Sequence, residues 1–210
     1  MMTKEIRKLN KLLVATHNPG KFKIIKDKLS SLNIEILSLD DLGIKEDFEE
    51  TGQTYQENAS GKAKFYYKLA QMPTLGDDSG LSVDALDGAP GLYSRFWPGY
   101  KGTDEELLKM LLDKLKDVPD AQRTAKFVTV LALFDGQQIY FGQGEVKGVI
   151  TQEALCDLEP GLPYSAVFRP DGYDKVFSQL TLEEKRGVSH RAKAVDEIIK
   201  QLSARGGVNK

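Results

Sequence analysis

Residues 11–16 (KLLVAT) form a short apolar run that ends on His17-Asn18-Pro19-Gly20, and this junction constrains the fold more than any other stretch. The run suits a buried strand. Beyond the turn, Phe22, Ile25, Leu29 and Leu32 recur at helical spacing, and Ile34–Leu39 returns to an extended, β-branched pattern. Strand, Gly-containing turn, helix and strand make a βαβ opening. The expected fold is therefore α/β, a mixed β-sheet with flanking helices.

Three Thr residues each have Glu three positions on: Thr54/Glu57, Thr103/Glu106 and Thr181/Glu184. Such pairs exchange side-chain and backbone hydrogen bonds as capping boxes, so helices are expected to start near 54, 103 and 181. The first should run to about Met72 and stop at Pro73, burying Tyr55, Ala59, Ala63, Tyr66 and Ala70. Gln122–Phe134 and Gln137–Val149 flank Asp135-Gly136, which predicts a long hairpin with a type I′ turn. A last helix from Ser189 carries Val195, Ile198, Ile199 and Leu202 on one face.

With 210 residues, 40% hydrophobic and 29% charged, and no linker-like stretch, one domain is expected. Its bounds are read as residues 11–205, with a lead-in over 1–10 and a tail over 206–210. A net charge of −2 gives no basic excess for nucleic acid or an anionic membrane. One cysteine, Cys156, excludes an intramolecular disulfide framework and a multi-thiolate metal site. The first residues lack an apolar signal-peptide core, and the longest apolar stretch, Phe127–Phe134, is broken by Thr129. A cytoplasmic protein is expected.

Four segments can carry chemistry. Thr16-His17-Asn18-Pro19-Gly20-Lys21 joins a strand to a helix N-terminus, where free N–H groups and the dipole favour phosphate. It is not a P-loop, because Ala15 and Phe22 stand where that motif needs Gly and Ser or Thr. Glu49-Glu50-Thr51-Gly52 precedes a helix on which Asn58 and Lys62, four apart, share a face away from the tyrosines. Asp77-Asp78-Ser79 lies between apolar runs, bracketed by Gly76 and Gly80. Carboxylates from two segments suit Mg²⁺, which takes one or two of them and borrows substrate phosphates. Lys185 to Arg191 (KRGVSHR) concentrates donors at another helix start. Each segment also reads as turn or solvated surface when taken alone.

In this order and spacing the segments resemble the inosine triphosphate pyrophosphatase family, from about Leu12 to Leu202. Thr16–Lys21 looks like its T-x-N-x-x-K loop, and Glu49–Ala59 (EETGQTYQENA) like its E-x-x-G-x-[ST]-x-x-E-N-A segment. Asp77–Leu86 with Gly88-Ala89-Pro90-Gly91 resembles its central acidic block, and Ser189-His190-Arg191 its late S-H-R. The resemblance implies an elongated, two-lobed domain with a central substrate cleft, normally a homodimer. It also implies Mg²⁺-dependent hydrolysis of non-standard purine nucleoside triphosphates (dITP/ITP, XTP/dXTP) to the monophosphate and pyrophosphate.

Carried over residue by residue, the resemblance implies Mg²⁺ ligation by Glu49 and Asp78, with Asp78 also the base. Thr16, His17, Asn18, Pro19, Gly20, Lys21, Lys62, Ser79 and Arg95 would line the triphosphate, and Lys185, His190 and Arg191 the base. Where the family carries F-G-Y-D this chain has Leu162-Pro163-Tyr164-Ser165, also assigned to the substrate. The later Gly172-Tyr173-Asp174 falls in a loop that varies in the family. Hydrolysis of ordinary or pyrimidine triphosphates, and a non-catalytic nucleotide-binding module, remain as alternatives at this point.

Overall fold

A computed structural model describes residues 9–30 and 32–205, so the expected bounds at 1–10 and 206–210 lie largely outside the described residues. The opening is the βαβ unit: β1 (Lys11–Ala15), α1 (Pro19–Leu29) and β2 (Glu35–Ser38), with the strands parallel. Leu12–Ala15 are all buried, as a strand covered on both faces requires. The helix stops at Leu29, earlier than the spacing through Leu32 implied.

The remaining elements are α2 (Tyr55–Ala70), β3 (Thr74–Val83), α3 (Asp104–Leu115), β4 (Thr124–Phe134), β5 (Ile139–Ile150), β6 (Phe168–Pro170), α4 (Leu182–Val188) and α5 (His190–Arg205). The six strands form one mixed sheet in the order β2-β1-β3-β4-β5-β6. β3 is parallel to β1 only over Thr74–Gly76, and antiparallel to β4 over its whole length. Ala15 pairs with Gly76 at the end of β1. The loop leaving β1 at Thr16 therefore starts beside the point where β3 reaches Asp77.

All three threonines cap as expected, but only Thr103 and Thr181 close the reciprocal box. Glu57 instead accepts from the Gln53 backbone N–H at 2.7 Å, one residue before the cap. The β4–β5 turn also differs from expectation. Gly136 has φ +98° while Gln137 is not left-handed, which is the pattern of a II′ rather than a I′ turn. The Asp135 carboxylate holds it by accepting from the N–H groups of Gln137 and Gln138.

Side chains alternate across the sheet. On one face Leu75, Leu131 and Leu133 pack with α1 and α5, while Leu81, Val83 and Phe127 pack with α3 and the chain around 164–180. Between these two cores, on the same face, lie Asp77, Ser79 and Thr129. The lobes thus meet along a polar seam. The opposite face carries α2, with Ala59 and Ala63 against Val130 and Ala132.

Two glycines bring α5 onto β5. A Cβ at Gly142 would collide with the Ala194 carbonyl, and one at Gly144 with the His190 carbonyl. Larger residues there would push the helix off the sheet and lift His190 and Arg191 away from the seam.

Candidate active site

The acid pair sits at the middle of β3, and alternation sends its carboxylates to opposite faces. Asp77 enters the seam. It accepts from Thr129 Oγ1 at 2.9 Å and Arg191 Nε at 3.0 Å, with Lys21 Nζ at 3.7 Å. Burial would raise its carboxyl, but the charges of Lys21 and Arg191 outweigh that and hold it well below the usual range. It is a permanent anion.

Asp78 faces α2. Its oxygens accept from Asn58 Nδ2 at 3.0 Å and from the Ser79 N–H at 2.8 Å. Burial, reinforced by the negative charge of Glu50, pushes its carboxyl up to about 6, although Lys62 and Lys21 pull the other way. A carboxyl near neutrality is suited to accepting a proton.

Lys62 joins the two acid segments. Its Nζ pairs with Glu50 and donates to the Asp77 carbonyl at 3.0 Å. Burial disfavours its charge, yet Glu50 and the aspartates prevail and keep it protonated. Lys21 is shifted the opposite way, because burial and the nearby Arg191 outweigh the aspartates. Glu49, the expected metal ligand, is exposed and makes no hydrogen bond or ion pair among the described residues. Glu50 is the acid turned toward Lys62 and Asp78.

In the loop after β1, Asn18 caps α1 by accepting from the Lys21 N–H at 3.1 Å, and its own N–H donates to Thr16 Oγ1. Its amide also donates to the Gly161 carbonyl at 2.7 Å. Gly20 is buried and Pro19 exposed, as a first-turn proline tolerates. His17 points aside: Nε2 lies 3.0 Å from the Glu46 carbonyl, which also accepts from Tyr66.

Residues expected to touch the base are mostly enclosed. Arg191 is 4% exposed and is engaged once at each of its three nitrogens, donating to Asp77, to Ser79 Oγ at 2.6 Å and to His190 Nε2 at 2.9 Å. His190 stacks on Phe127 at 5.1 Å, and its Nδ1 has no partner. Burial, with Arg191 beside it, depresses its pKa well below the ordinary value, so the imidazole is neutral. Lys185 Nζ lies 3.6 Å from Glu159 and 5.5 Å from the Phe177 ring centre. Arg95 pairs with Asp104.

Pro163, Tyr164, Ser165 and Ala166 form a buried 3-10 turn, with Leu162, also buried, at its N-cap. Tyr164 donates to the Ser94 carbonyl at 2.9 Å, and Leu162 packs against Gly20 beneath the loop. In this arrangement the segment supports the loop from inside. Sequence reading missed Asp77 as an ion-pair centre and Thr129 beneath it; it placed Asn58 on one helix face with Lys62 but not its bond to Asp78. Thr129 did leave a signal, as the polar break in the apolar Phe127–Phe134 run.

The sequence profile of the Ham1 family matches residues 12–201. The chain belongs to the Ham1 family. Among Ham1 relatives, the dITP/XTP pyrophosphatase of Bacillus subtilis (strain 168) is 38% identical over 197 residues, 93% of this chain and 98% of that one. That of Aquifex aeolicus (strain VF5) is 41% identical over 201 residues, 91% and 96% of the two chains. The solved HAM1 protein from Coxiella burnetii superposes with a TM-score of 0.76 at 30% identity, covering 92% of this chain and 98% of that one. These relatives agree with the resemblance drawn from the four motifs. The stretch matched by the family, 12–201, runs from β1 into α5.

Proposed function

We propose that this chain hydrolyses dITP/ITP and XTP/dXTP to the monophosphate and pyrophosphate, removing non-standard purines from the nucleotide pool. The observation that carries the reading is the convergence of Lys21, Lys62 and Asp78 where the β1 loop meets β3. Two ammonium groups for a polyphosphate stand beside a carboxyl pushed up to about 6. The relatives named dITP/XTP pyrophosphatase support the substrate class.

The residues present fit Mg²⁺. The site offers hard carboxylate oxygens, and Glu50 and Asp78 repel each other in a way that a divalent cation relieves. No group of three His, Cys, Asp or Glu among the described residues makes a closed metal cage. Mg²⁺ suits such an open set because it keeps waters and shares substrate phosphates. Asp78, with Glu49 or Glu50, would hold it. When bound it supplies charge neutralisation and a more acidic water.

The chain's own groups then have distinct tasks. Lys21 and Lys62 balance charge growing on the pyrophosphate leaving group. Asp78 takes the proton of the attacking water, and Asn58 and the Ser79 N–H hold its carboxylate in orientation. Asp77 keeps Lys21 and Arg191 in place. Base choice rests on donors to the purine 6-oxo group from Lys185, His190 and Arg191, which an adenine amino group leaves unpaired. A homodimer is part of the reading, supported by exposed Tyr93, Phe96 and Tyr100 on one surface segment. We also place the enzyme in the cytoplasm; no helix among the described residues is long and apolar enough to cross a membrane.

Pyrophosphate release from dITP, XTP, dGTP, ATP and dUTP under identical conditions tests the proposal. Fast release from dITP and XTP alone is expected. Comparable rates on dUTP or ATP would overturn the substrate assignment.

A further inference from the structure

Asp104 is the first residue of α3 and remote in sequence from the loop after β1, yet a short chain of bonds joins them. One Asp104 oxygen pairs with Arg95, and the other accepts from the Gly161 N–H at 2.6 Å. The Gly161 carbonyl accepts from Asn18 Nδ2 at 2.7 Å, and Asn18 Oδ1 accepts from the Lys21 N–H at 3.1 Å. Both polar ends of the Asn18 side chain are thus fixed, one toward Lys21 and one toward the Asp104–Gly161 pair.

Steric fit makes the linkage specific. Gly161 has φ +78°, a left-handed conformation that disfavours a side chain, and a Cβ there would strike the Asn18 amide. The next residue, Leu162, packs so closely on Gly20 that an added Cβ would stand 2.8 Å from its methyl. Residues 161–162 therefore grip the loop at Asn18 and Gly20, and Asp104 holds residue 161. A carboxylate suits this position, since the α3 N-terminus and Arg95 both favour negative charge. Its side chain is 15% exposed and is committed to these partners.

We propose that Asp104 is a positioning residue for the phosphate-binding loop, acting through the backbone of Gly161 on Asn18 and hence on Lys21. Arg95 serves as the counter-ion of Asp104. The inference rests on the reading of Thr16–Lys21 as the segment that holds the triphosphate. It extends that reading to a residue touching no substrate atom.

The test uses steady-state dITP hydrolysis with Mg²⁺, plus inhibition by inorganic tripolyphosphate and by inosine. These inhibitors probe the phosphate and base halves separately. Asp104→Ala is expected to raise KM for dITP and the tripolyphosphate inhibition constant together, by about tenfold, the scale of one lost bond at a binding site. Inosine inhibition should stay within twofold. Asp104→Asn, which keeps an oxygen for the Gly161 N–H, should recover most of the loss. Gly161→Ala should reproduce the Asp104→Ala signature from the other side of the bond. Wild-type constants in Asp104→Ala, or equal weakening of tripolyphosphate and inosine, would overturn the proposal. Absence of dITP hydrolysis in the wild-type chain would instead overturn the functional reading beneath it.

Discussion

Asp77 and Asp78 are chain neighbours that face opposite sides of β3, and their carboxyls are pushed in opposite directions. The cause is what each face offers. Asp77 meets Arg191, Lys21 and the Thr129 hydroxyl, which together favour the anion. Asp78 is buried beside the negative charge of Glu50, which disfavours the anion more than Lys62, Lys21 and the Asn58 amide favour it. Adjacent acids driven apart in this way mark separate tasks. Asp77 organises cations, and Asp78 is left to exchange a proton.

Replacing Asp78 by Asn should lower turnover by about 10³-fold or more, the usual scale for a lost proton acceptor and ligand. The metal-free fold should gain roughly 1–3 kcal/mol at pH 7, because an ionised carboxylate no longer has to be buried. Asp78 titrates above its ordinary value, so the wild type recovers that stability as pH falls through about 6 toward the ordinary carboxylate range. Urea unfolding in chelator should show the gap closing in that window. A variant less stable than wild type at pH 7 would contradict the electrostatic account.

Arg191→Ala should destabilise the fold by about 3–5 kcal/mol, the scale for stripping one partner from a buried ion pair. Arg191→Lys should recover little, since one ammonium cannot serve Asp77, Ser79 and His190 as the guanidinium does. Denaturant midpoints of the three proteins check this. Near-wild-type stability of Arg191→Ala would mean that Asp77 does not depend on it.

Thr129→Val keeps the shape of the side chain and removes its hydroxyl. Asp77 Oδ1 then loses its buried donor, at a cost of about 1–3 kcal/mol. Urea unfolding measures the loss, and an unchanged midpoint would show that another donor replaces it.

His190 supplies a second pH signature of the same molecule. Its folded pKa is depressed, so as pH drops below about 6.5 the unfolded chain takes the proton first. Stability present above that pH should fall by about 1.4 kcal/mol per unit below it. Asp78 acts in the opposite sense over part of this range, so the informative quantity is the difference between wild type and His190→Gln. That difference should shrink the wild-type advantage steadily from pH 6.5 to 5.5, and a pH-independent difference would contradict a neutral buried imidazole.

The parts of the fold legible in the sequence were those encoded by neighbours in the chain. The βαβ opening, the threonine caps and the β4–β5 hairpin each follow from a few consecutive residues. The misses have a common origin in distance along the chain. The motif assigns Arg191 to the base but gives no hint that it also holds Asp77, 114 positions away. The resemblance assigns Leu162–Ser165 to the substrate, and only the fold shows Leu162 packed on Gly20 beneath the loop as well. Which of Glu49 and Glu50 turns toward Lys62 depends on the path of an irregular loop, which carries no periodicity to read.

The central claim is cleavage that releases pyrophosphate through a site built on Asp78, and product analysis of dITP turnover tests it most directly. Wild-type protein with Mg²⁺ should yield dIMP and pyrophosphate in equal amounts, with no reaction in chelator and none from Asp78→Asn. Formation of dIDP and inorganic phosphate, or undiminished turnover in chelator or in Asp78→Asn, would contradict it.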